Sequence, residues 1–471
     1  MTLTETPATK KQLSPEGKRV RSRYLWRMRR GDVLESLVWF STALVLALFL
    51  ADGGATYFLS LRDIFTGLGI VTGLIGSNLM LIMLLLSARL PLLDRTFGHD
   101  KAIAVHRKLG KPVLYLILAH MVLLLVGYGI VDGLNPLAEA ISMMTEMEWM
   151  LWAFLGTLAL VLVVVTSLVI VRRKLAYEFW LAVHFLAYAA VILALPHQFT
   201  TGQMFADGTW ARWYWLALYI GTFAAITIFR FIMPVARSVK HKLEVQSVDI
   251  VAPGVVSVTL RGRKLNQLPA RGGQFFNWRF WTPSMILQSN PYSLSAAPDG
   301  RSLRITVRDL GRGSARLLTV KPGTRVSFEG PYGLFTETAR TTENAVLIGA
   351  GIGITPIRAL LEDPRFRART ITVILRGSTE DQVYLWEEVY DLCVAKGAWL
   401  RVLVGSRPRG VRTWIDADNY NKGERITTLA SDLLNSDVFI CGPDNWTDLV
   451  IRDVKRAGVS ENRIHAERFD F

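Results

Sequence analysis

Hydrophobic patterning changes character near residue 240. Before it, apolar residues run in long blocks; after it, they alternate in short ones. The blocks stand at about 37–50, 64–86, 113–131, 150–171, 179–195 and 213–235. Most approach the roughly 20 residues that a helix needs to cross a hydrocarbon core about 30 Å thick. The pattern therefore predicts six transmembrane helices, the first short enough to draw on its flanks. From about 243 the period falls to two, as in LEVQSVDIVAPGVVSVTLRGR and RSLRITVRDLG. Such runs with turn residues between them predict an antiparallel β-barrel. From 344 strand, glycine-rich turn and helix alternate through NAVLIGAGIGITPIRALLED, RTITVILRGS, WLRVLVGSR and SDVFICGP. That alternation predicts a parallel, doubly wound α/β sheet of the nucleotide-binding type. The expected organisation is a basic tail at 1–33, a six-helix membrane bundle at 34–238, a barrel at 243–338 and an α/β domain at 344–471.

Composition agrees with a membrane region joined to a soluble one. The chain has 471 residues, 51% of them hydrophobic, and a formal charge of +15. A surplus of that size can signal nucleic acid, yet the basic residues cluster beside apolar blocks and no nucleic-acid motif accompanies them. A lipid-facing role is the simpler expectation. Lys and Arg number nine in the tail, six in 87–111, three in 172–178 and three in 236–242. The opposite loops hold only Arg62 and Arg212. The bias of twenty-one to two predicts a plasma (inner) membrane protein with both termini cytoplasmic. The start MTLTETPATKKQLSPEG lacks the layout of a cleaved signal peptide and reads as a disordered tail leading into the basic KRVRSRYLWRMRR. Two cysteines, Cys393 and Cys441, exclude a disulfide framework and a CxxC metal site.

Ionisable residues inside apolar spans usually have a functional reason to be there. His106 and His120 are 14 residues apart on the third span or its entrance, and His184 and His197 are 13 apart on the fifth. Each interval is roughly 20 Å along a helix. The two spans run in the same direction, so His106 shares a depth with His184 and His120 with His197. Paired imidazoles at two depths fit two six-coordinate haems stacked across the bilayer. Fourteen residues return nearly to one helix face, whereas thirteen leave about 140°. Pro196 then has to end or distort the fifth helix before His197. His99 and His241 read as exposed loop residues, and His465 belongs to the soluble part.

GAGIGITP, residues 349–356, follows the strand AVLI and opens a helix. Glycines there let the backbone approach a pyrophosphate at the helix N-terminus. Upstream, the aromatic and hydroxyl of NPYSLSAAP suit a flavin ring, and Arg308 with the turn from Gly311 to Ser314 suits its phosphates. CGP at 441–443 follows the strand DVFI, and the sequence closes on HAERFDF. With these motifs in order, residues 245–471 resemble the ferredoxin–NADP reductase-type flavoprotein module. Residues 35–471 resemble the transmembrane NADPH oxidase and ferric reductase family in its compact bacterial form.

The resemblance implies a membrane flavocytochrome with FAD, two haem b and NADPH. NADPH would lie at Gly349, Gly351, Gly353, Thr355 and Pro356, with Cys441 and Gly442 beside the nicotinamide. FAD would be held by Pro291, Tyr292, Ser293, Arg308, Gly311 and Ser314. Phe471 resembles the family's terminal aromatic against the flavin, and Glu467 the acidic residue near it. Electrons would pass from the flavin to the His106–His184 haem, then to the His120–His197 haem and an acceptor outside. Asn290 stands where the family usually has Arg or His, and Ala190 where some relatives carry an aromatic, with Tyr188 nearby. Ser406 and Arg407 resemble the pair that reads the 2′-phosphate, and Arg376 and Arg412 would add charge, so NADPH is expected over NADH. The expected acceptor is dioxygen, giving superoxide at a pocket that uses Arg62; a ferric or cupric chelate is the alternative. A haem-bearing subunit without turnover is the remote one. No obligatory protein activator is expected, and the basic tail is expected to meet anionic lipid.

Overall fold

The computed structural model describes residues 14–309 and 311–468. It divides into two compact units: residues 31–233, and the residues up to Arg30 together with Pro234 onward.

The first unit holds six helices long and apolar enough to cross a membrane. They are α1 (Pro15–Ala51), α2 (Ile64–Ser87), α3 (His99–Asp132), α5 (Met150–Ser167), α6 (Tyr177–Thr201) and the continuous Trp210–His241, which opens as α7 (Trp210–Ala225); the short α4 (Pro136–Glu146) lies between α3 and α5. A π-helical stretch, Ile226–Ile232, carries α7 into α8 (Met233–His241). Large apolar side chains such as Trp39, Leu158, Ile192 and Ile220 point outward, as a lipid-facing surface requires. Helices in such an environment approach closely through small residues and hydrogen bonds. Gly69, Gly73 and Gly76 of α2 lie against Leu124, His120 and Ile117 of α3, where added methyl groups would clash. The buried Asn78 of α2 accepts from Ser41 at 2.8 Å and donates to Thr42 at 3.1 Å, while Ser41 lies 2.8 Å from Tyr214 of α7.

The segment expected to be a disordered tail is helical from Pro15 onward; residues 1–13 lie outside the described residues. Lys, Arg, Leu and Met are good helix formers, and neither glycine nor proline interrupts residues 18–30. Ser14 caps the helix by accepting from the Gly17 amide at 3.1 Å. The buried face through Gly17 and Val20 settles on the nucleotide lobe. There the Ser14 amide donates to Glu343 at 3.0 Å, Arg23 is 3.8 Å from Glu337 and Asn462 donates to the Tyr24 hydroxyl at 3.3 Å.

The second unit begins with the antiparallel strands β1 (Leu243–Ala252), β2 (Val255–Arg261), β3 (Phe275–Phe280), β4 (Asn290–Ser293), β5 (Ser302–Arg308) and β6 (Arg325–Tyr332), in the order β4-β3-β6-β1-β2-β5. A bridge between Leu294 and Ile305 joins the two ends of this order, closing the barrel. Its interior is filled by Phe276, Trp278, Phe280 and Phe328. The Trp278 indole donates to the Tyr292 carbonyl at 3.0 Å, which pins β4. A parallel sheet follows in the order β11-β10-β7-β8-β9. Its strands are β7 (Asn344–Ala350), β8 (Ile371–Gly377), β9 (Trp399–Val404), β10 (Ser436–Gly442) and β11 (Ile464–Arg468). Helices α9 (Ile354–Glu362), α10 (Trp386–Lys396) and α11 (Asp444–Arg456) belong to this lobe. The barrel and the parallel sheet are the architecture the alternation predicts; β11 is a strand the patterning did not single out.

Asp437 anchors the start of β10. Fully buried, it accepts from the amides of Thr341 and Thr342 at 2.8 and 2.6 Å, from both threonine hydroxyls, and from His465 Nε2 at 2.9 Å. Burial alone would raise its carboxyl, but the hydrogen bonds and charge of His465 and the Thr342 donors outweigh it and hold the group below its ordinary value. A depressed carboxyl contributes stability above its unfolded value, about 4, and loses it as pH falls through the folded one. Asp437→Ala is therefore expected to cost the soluble transition about 3 kcal/mol at neutral pH. The gap between wild type and variant should close below about pH 4. Calorimetry of the purified chain from pH 3 to 8 measures both; a gap that persists in acid would contradict the assignment.

Candidate functional site

All four histidines expected to act together sit on two helices, His106 and His120 on α3, His184 and His197 on α6. The first pair, His106 and His184, has ring centres 6.1 Å apart with planes inclined by 60°. A metal held about 2 Å from one nitrogen of each imidazole places ring centres about 6 Å apart, so this spacing suits an iron between them. His106 Nδ1 lies 2.9 Å from the Met83 carbonyl, and His120 Nδ1 lies 2.8 Å from the Gly69 carbonyl. A carbonyl can only accept, so each Nδ1 carries the hydrogen and each Nε2 keeps its lone pair. His184 Nδ1 is 3.3 Å from the Ser167 hydroxyl, which itself donates to Val163 and accepts from Trp180 at 3.2 Å. Trp180 stacks on the His184 ring at 4.9 Å.

His120 and His197 line one cavity, together with Gly73, Met121, Tyr128 and Gln198. Gly73 makes the room: a methyl group there would stand 2.3 Å from His120 Nδ1. Helix α6 does not end at Pro196 but continues to Thr201, and His197 reaches the cavity from within it. Its Nδ1 is buried and has no hydrogen-bond partner among the described residues. Ala190 also lines the cavity, while Tyr188 stacks on Phe185. Arg62 is exposed and donates to the Val131 carbonyl at 3.2 Å; it is not among the residues lining the cavity. Sequence reasoning missed the carbonyls of Met83 and Gly69, Ser167, and Trp180. The TGLGIVTGLIGSN spacing of α2 was the visible signal for part of this surface.

In the second unit, parallel register places Gly349 beside Cys441 and Cys441 beside Glu467, at the C-terminal ends of β7, β10 and β11. Ligands of parallel sheets bind at that edge. Gly351 has φ +53, a left-handed turn that glycine accepts without strain. Gly353 sits so close to β10 that a methyl group would lie 2.3 Å from the Cys441 carbonyl oxygen. Thr355 is buried, its hydroxyl donating to the Ile352 carbonyl at 2.8 Å, which closes the loop before α9. Burial pushes the Cys441 thiol well above its ordinary value, with Glu467 adding to the effect, and pushes Cys393 up to about 11.

On the barrel, Pro291, Tyr292 and Ser293 form β4 with Asn290. Among the described residues the Ser293 hydroxyl is buried without a hydrogen-bond partner, and so is the Asn290 amide nitrogen. An orphaned buried hydroxyl beside Tyr292 is what a polar ring ligand such as a flavin would satisfy. Arg308 ends β5, in register with Val255 of β2. Gly311 and Ser314 close a turn on Asp309, with the Gly311 amide 3.1 Å from the Asp309 carboxylate. Phe471 lies outside the described residues.

Arg376, expected to add charge near the 2′-phosphate, has its guanidinium committed elsewhere. Arg376 is buried, and its guanidinium is spent on the carbonyls of Gly377, Leu403, Gly405 and Trp414. It braces the ends of β8 and β9 and is not available to a ligand. Ser406, Arg407 and Arg412 follow β9 in a loop where both arginines are exposed.

Residues 72–195 match the family model of the ferric reductase like transmembrane component. Ferredoxin–NADP reductase B of Sorangium cellulosum (strain So ce56) is 28% identical over 191 residues, covering 38% of this chain and 77% of that protein. The Flavohemoprotein of Vibrio cholerae serotype O1 is 28% identical over 190 residues, 38% of this chain and 45% of its own. The chain spans about half the length of the flavohemoproteins it matches. Among solved structures, the FAD/NAD binding domain of nitric oxide dioxygenase from Vibrio cholerae aligns at 22% identity and TM-score 0.40, over 49% of this chain and 99% of that one. Flavohemoglobin from Malassezia yamatoensis aligns at 18% and 0.43, over 88% of this chain and 100% of that one. The chain joins a ferric reductase-like transmembrane component to a ferredoxin–NADP reductase-type module, and it is an oxidoreductase.

Two outcomes test the nucleotide edge. With both thiols buried and shifted upward, neither Cys393 nor Cys441 should be alkylated by iodoacetamide in the folded chain at pH 8, as mass spectrometry would read. Gly353→Ala must push α9 off β10, because the obstacle is backbone. A loss of about 2 kcal/mol in stability is expected. Nucleotide affinity should fall about tenfold by titration calorimetry, since the loop no longer closes. Unchanged affinity would remove the loop from the site.

Proposed function

We propose that the chain is a membrane flavocytochrome that oxidises cytoplasmic NADPH and delivers electrons across the bilayer. The observation that carries this reading is the pair of histidines on α3 whose Nδ1 atoms are locked to backbone carbonyls, each facing a partner on α6. Buried imidazoles oriented in this way are built to ligate. Bound FAD would supply two-electron to one-electron conversion, and bound haem b a one-electron path.

The chain's own residues do the holding. Gly349, Gly351 and Gly353 admit the pyrophosphate to the start of α9, and Ser406, Arg407 and Arg412 meet the 2′-phosphate in preference to the plain ribose of NADH. Cys441, Gly442 and Glu467 border the nicotinamide, and Cys441 acts there as a protonated thiol. Ser293 offers its hydroxyl to the flavin beside Tyr292, with Arg308 and the Gly311–Ser314 turn toward the phosphates. His106 with His184, and His120 with His197, hold the two haems. The excess of Lys and Arg on one side places both termini in the cytoplasm and the His120–His197 end outside.

Haem held by His120 and His197 would supply one electron at a time to an acceptor at that end of the bundle. Dioxygen is the first candidate: NADPH and two O₂ give NADP⁺, one proton and two superoxide anions. One observation favours a second reading. The segments at the His120–His197 end carry Asp52, Asp63, Asp132, Glu146, Glu148 and Asp207 against Arg62 and Arg212. An acidic rim attracts cations, as a ferric or cupric acceptor would need. Neither reading needs a protein activator.

Purified chain should show flavin and low-spin haem absorption, and NADPH should reduce both. His120→Ala and His184→Ala should each remove one haem and lower flow to the acceptor about a hundredfold, while NADPH-driven dye reduction by the soluble module stays within about twofold. Haem content unchanged in both variants would sink the proposal. NADPH oxidation in air, followed with superoxide dismutase and set against anaerobic ferric chelate, separates the acceptors.

A further inference from the structure

Between the barrel and the nucleotide lobe lies a cluster of charged side chains that no step above uses. Arg304 stands on β5, Arg358 and Glu362 on α9, and Glu388 on α10. Arg304 meets Glu388 through two guanidinium–carboxylate bonds of 3.1 and 2.7 Å. Arg358 Nε lies 2.7 Å from the same carboxylate, and its other nitrogens pair with Glu362 at 2.6 and 3.0 Å. The remaining bonds grip the backbone that continues β4. Arg304 and Arg358 both donate to the Ser295 carbonyl, at 3.2 and 3.1 Å, and Glu362 accepts from the Ala297 amide at 2.6 Å. Ser295 is fully buried, its hydroxyl accepting from Thr306 at 2.8 Å and from Arg304 at 3.2 Å.

We propose that Arg304, Arg358, Glu362 and Glu388 form a latch of positioning residues. It holds Ser293–Ala297 against α9 and so fixes the nicotinamide site relative to the flavin site. The role in transfer rests on the NADPH and FAD reading above. Three features support it. The helix that begins at the Gly349–Pro356 loop carries Arg358 within its first turns, so a shift of that loop is a shift of the grip on Ser295. The same grip lies two residues past Ser293, whose hydroxyl has no partner among the described residues. The buried apolar clusters of the barrel and the nucleotide lobe are separate, leaving polar contacts to set their mutual orientation. Beyond the far end of α9, Asp363 accepts from the Gly272 amide at 2.9 Å and Arg365 donates to the Ala270 carbonyl at 3.0 Å. With that end tethered to the barrel, the latch determines how the loop end sits. The transfer at stake moves a hydride, one hydrogen nucleus with two electrons, from the nicotinamide to the flavin. The donor is oxidised by two electrons and the acceptor reduced by two. Its rate falls steeply when the reacting atoms are displaced by an ångström.

The test compares the full-length purified chain with Glu388→Gln and with the conservative Glu388→Asp. In Glu388→Gln, amide exchange over 293–297 should rise about tenfold while the rest of the barrel and the midpoint of unfolding hold, since only the local opening is eased. NADP⁺ affinity should stay within about twofold, and stopped-flow flavin reduction should slow ten- to a hundredfold, about what an ångström of misplacement produces, with a larger isotope effect from C4-deuterated NADPH. Glu388→Asp should recover part of the rate. Exchange and flavin reduction both unchanged in Glu388→Gln would overturn the latch. So would raised exchange throughout the unit with an unchanged isotope effect, which is what a merely stabilising cluster gives. A wild-type chain that holds no NADPH-reducible flavin would overturn the transfer role together with the cofactor reading, whereas the exchange comparison decides the grip on 293–297 independently.

Discussion

A buried imidazole has two nitrogens to satisfy, and in an apolar bundle no water stands ready to take the hydrogen of one. That constraint organises the membrane unit. A helical carbonyl already accepts one bond from its own helix but has a second lone pair. Helix α2 offers two such carbonyls, Gly69 and Met83, 14 residues apart. His106 and His120 are also 14 apart, on a helix connected to α2 so that Met83 meets His106 and Gly69 meets His120. The two helices are thus in step. Gly73, one turn beyond Gly69, lacks the side chain that would block the His120 ring. The glycine face of α2 and the histidines of α3 are two halves of one device, and the close approach it demands is also how helices associate without a hydrophobic driving force.

Helix α6 solves the same problem less symmetrically. Its interval is 13, and its inner partner is a side chain, Ser167, braced by Trp180 and the Val163 carbonyl. Among the described residues His197 Nδ1 has no partner on α2 or α3. The histidines held by carbonyls of a neighbouring helix are therefore both on α3. In the soluble unit precision comes from strand register instead. Gly349, Cys441 and Glu467 share one level of the sheet because β7, β10 and β11 are parallel and in step. The absence of a side chain at Gly353 then lets α9 start directly on the Cys441 peptide.

Much of this was legible in the sequence, for physical reasons that differ from place to place. The six spans follow from block length, and the barrel and sheet from a change of period. The four histidines stand out because charge-capable groups are rare in apolar blocks. What was not legible depends on partners distant in the chain. Arg376 reads as a free cation at a strand end, but both faces of β8 are covered, so its guanidinium turns under the loop and is consumed by carbonyls. The basic segment at 18–30 reads as an interfacial stretch meeting lipid because its docking partners, Glu337 and Glu343, lie more than three hundred residues away. Arg62 is prominent as the one basic residue in its loop, yet its guanidinium donates to a carbonyl of α3.

The two units fix geometry with opposite materials, and the medium decides which is usable. Ion pairs in a hydrocarbon-facing bundle carry a desolvation cost of several kcal/mol per charge. The bundle accordingly orients its histidines with neutral dipoles already present in the helix backbone. Between the soluble lobes, the Arg304–Glu388–Arg358 cluster sits where water still reaches part of it, since the side chain of Glu388 is 36% exposed. Such pairs add little net stability. Their value is directional, because a bidentate guanidinium–carboxylate contact fixes angle as well as distance. An apolar seam would hold the lobes together in many registers, whereas paired forks and a carbonyl held by two arginines permit one. A module that must align two ligands, while its own stability is supplied by two separate cores, is better served by the contact that specifies than by the contact that merely adheres.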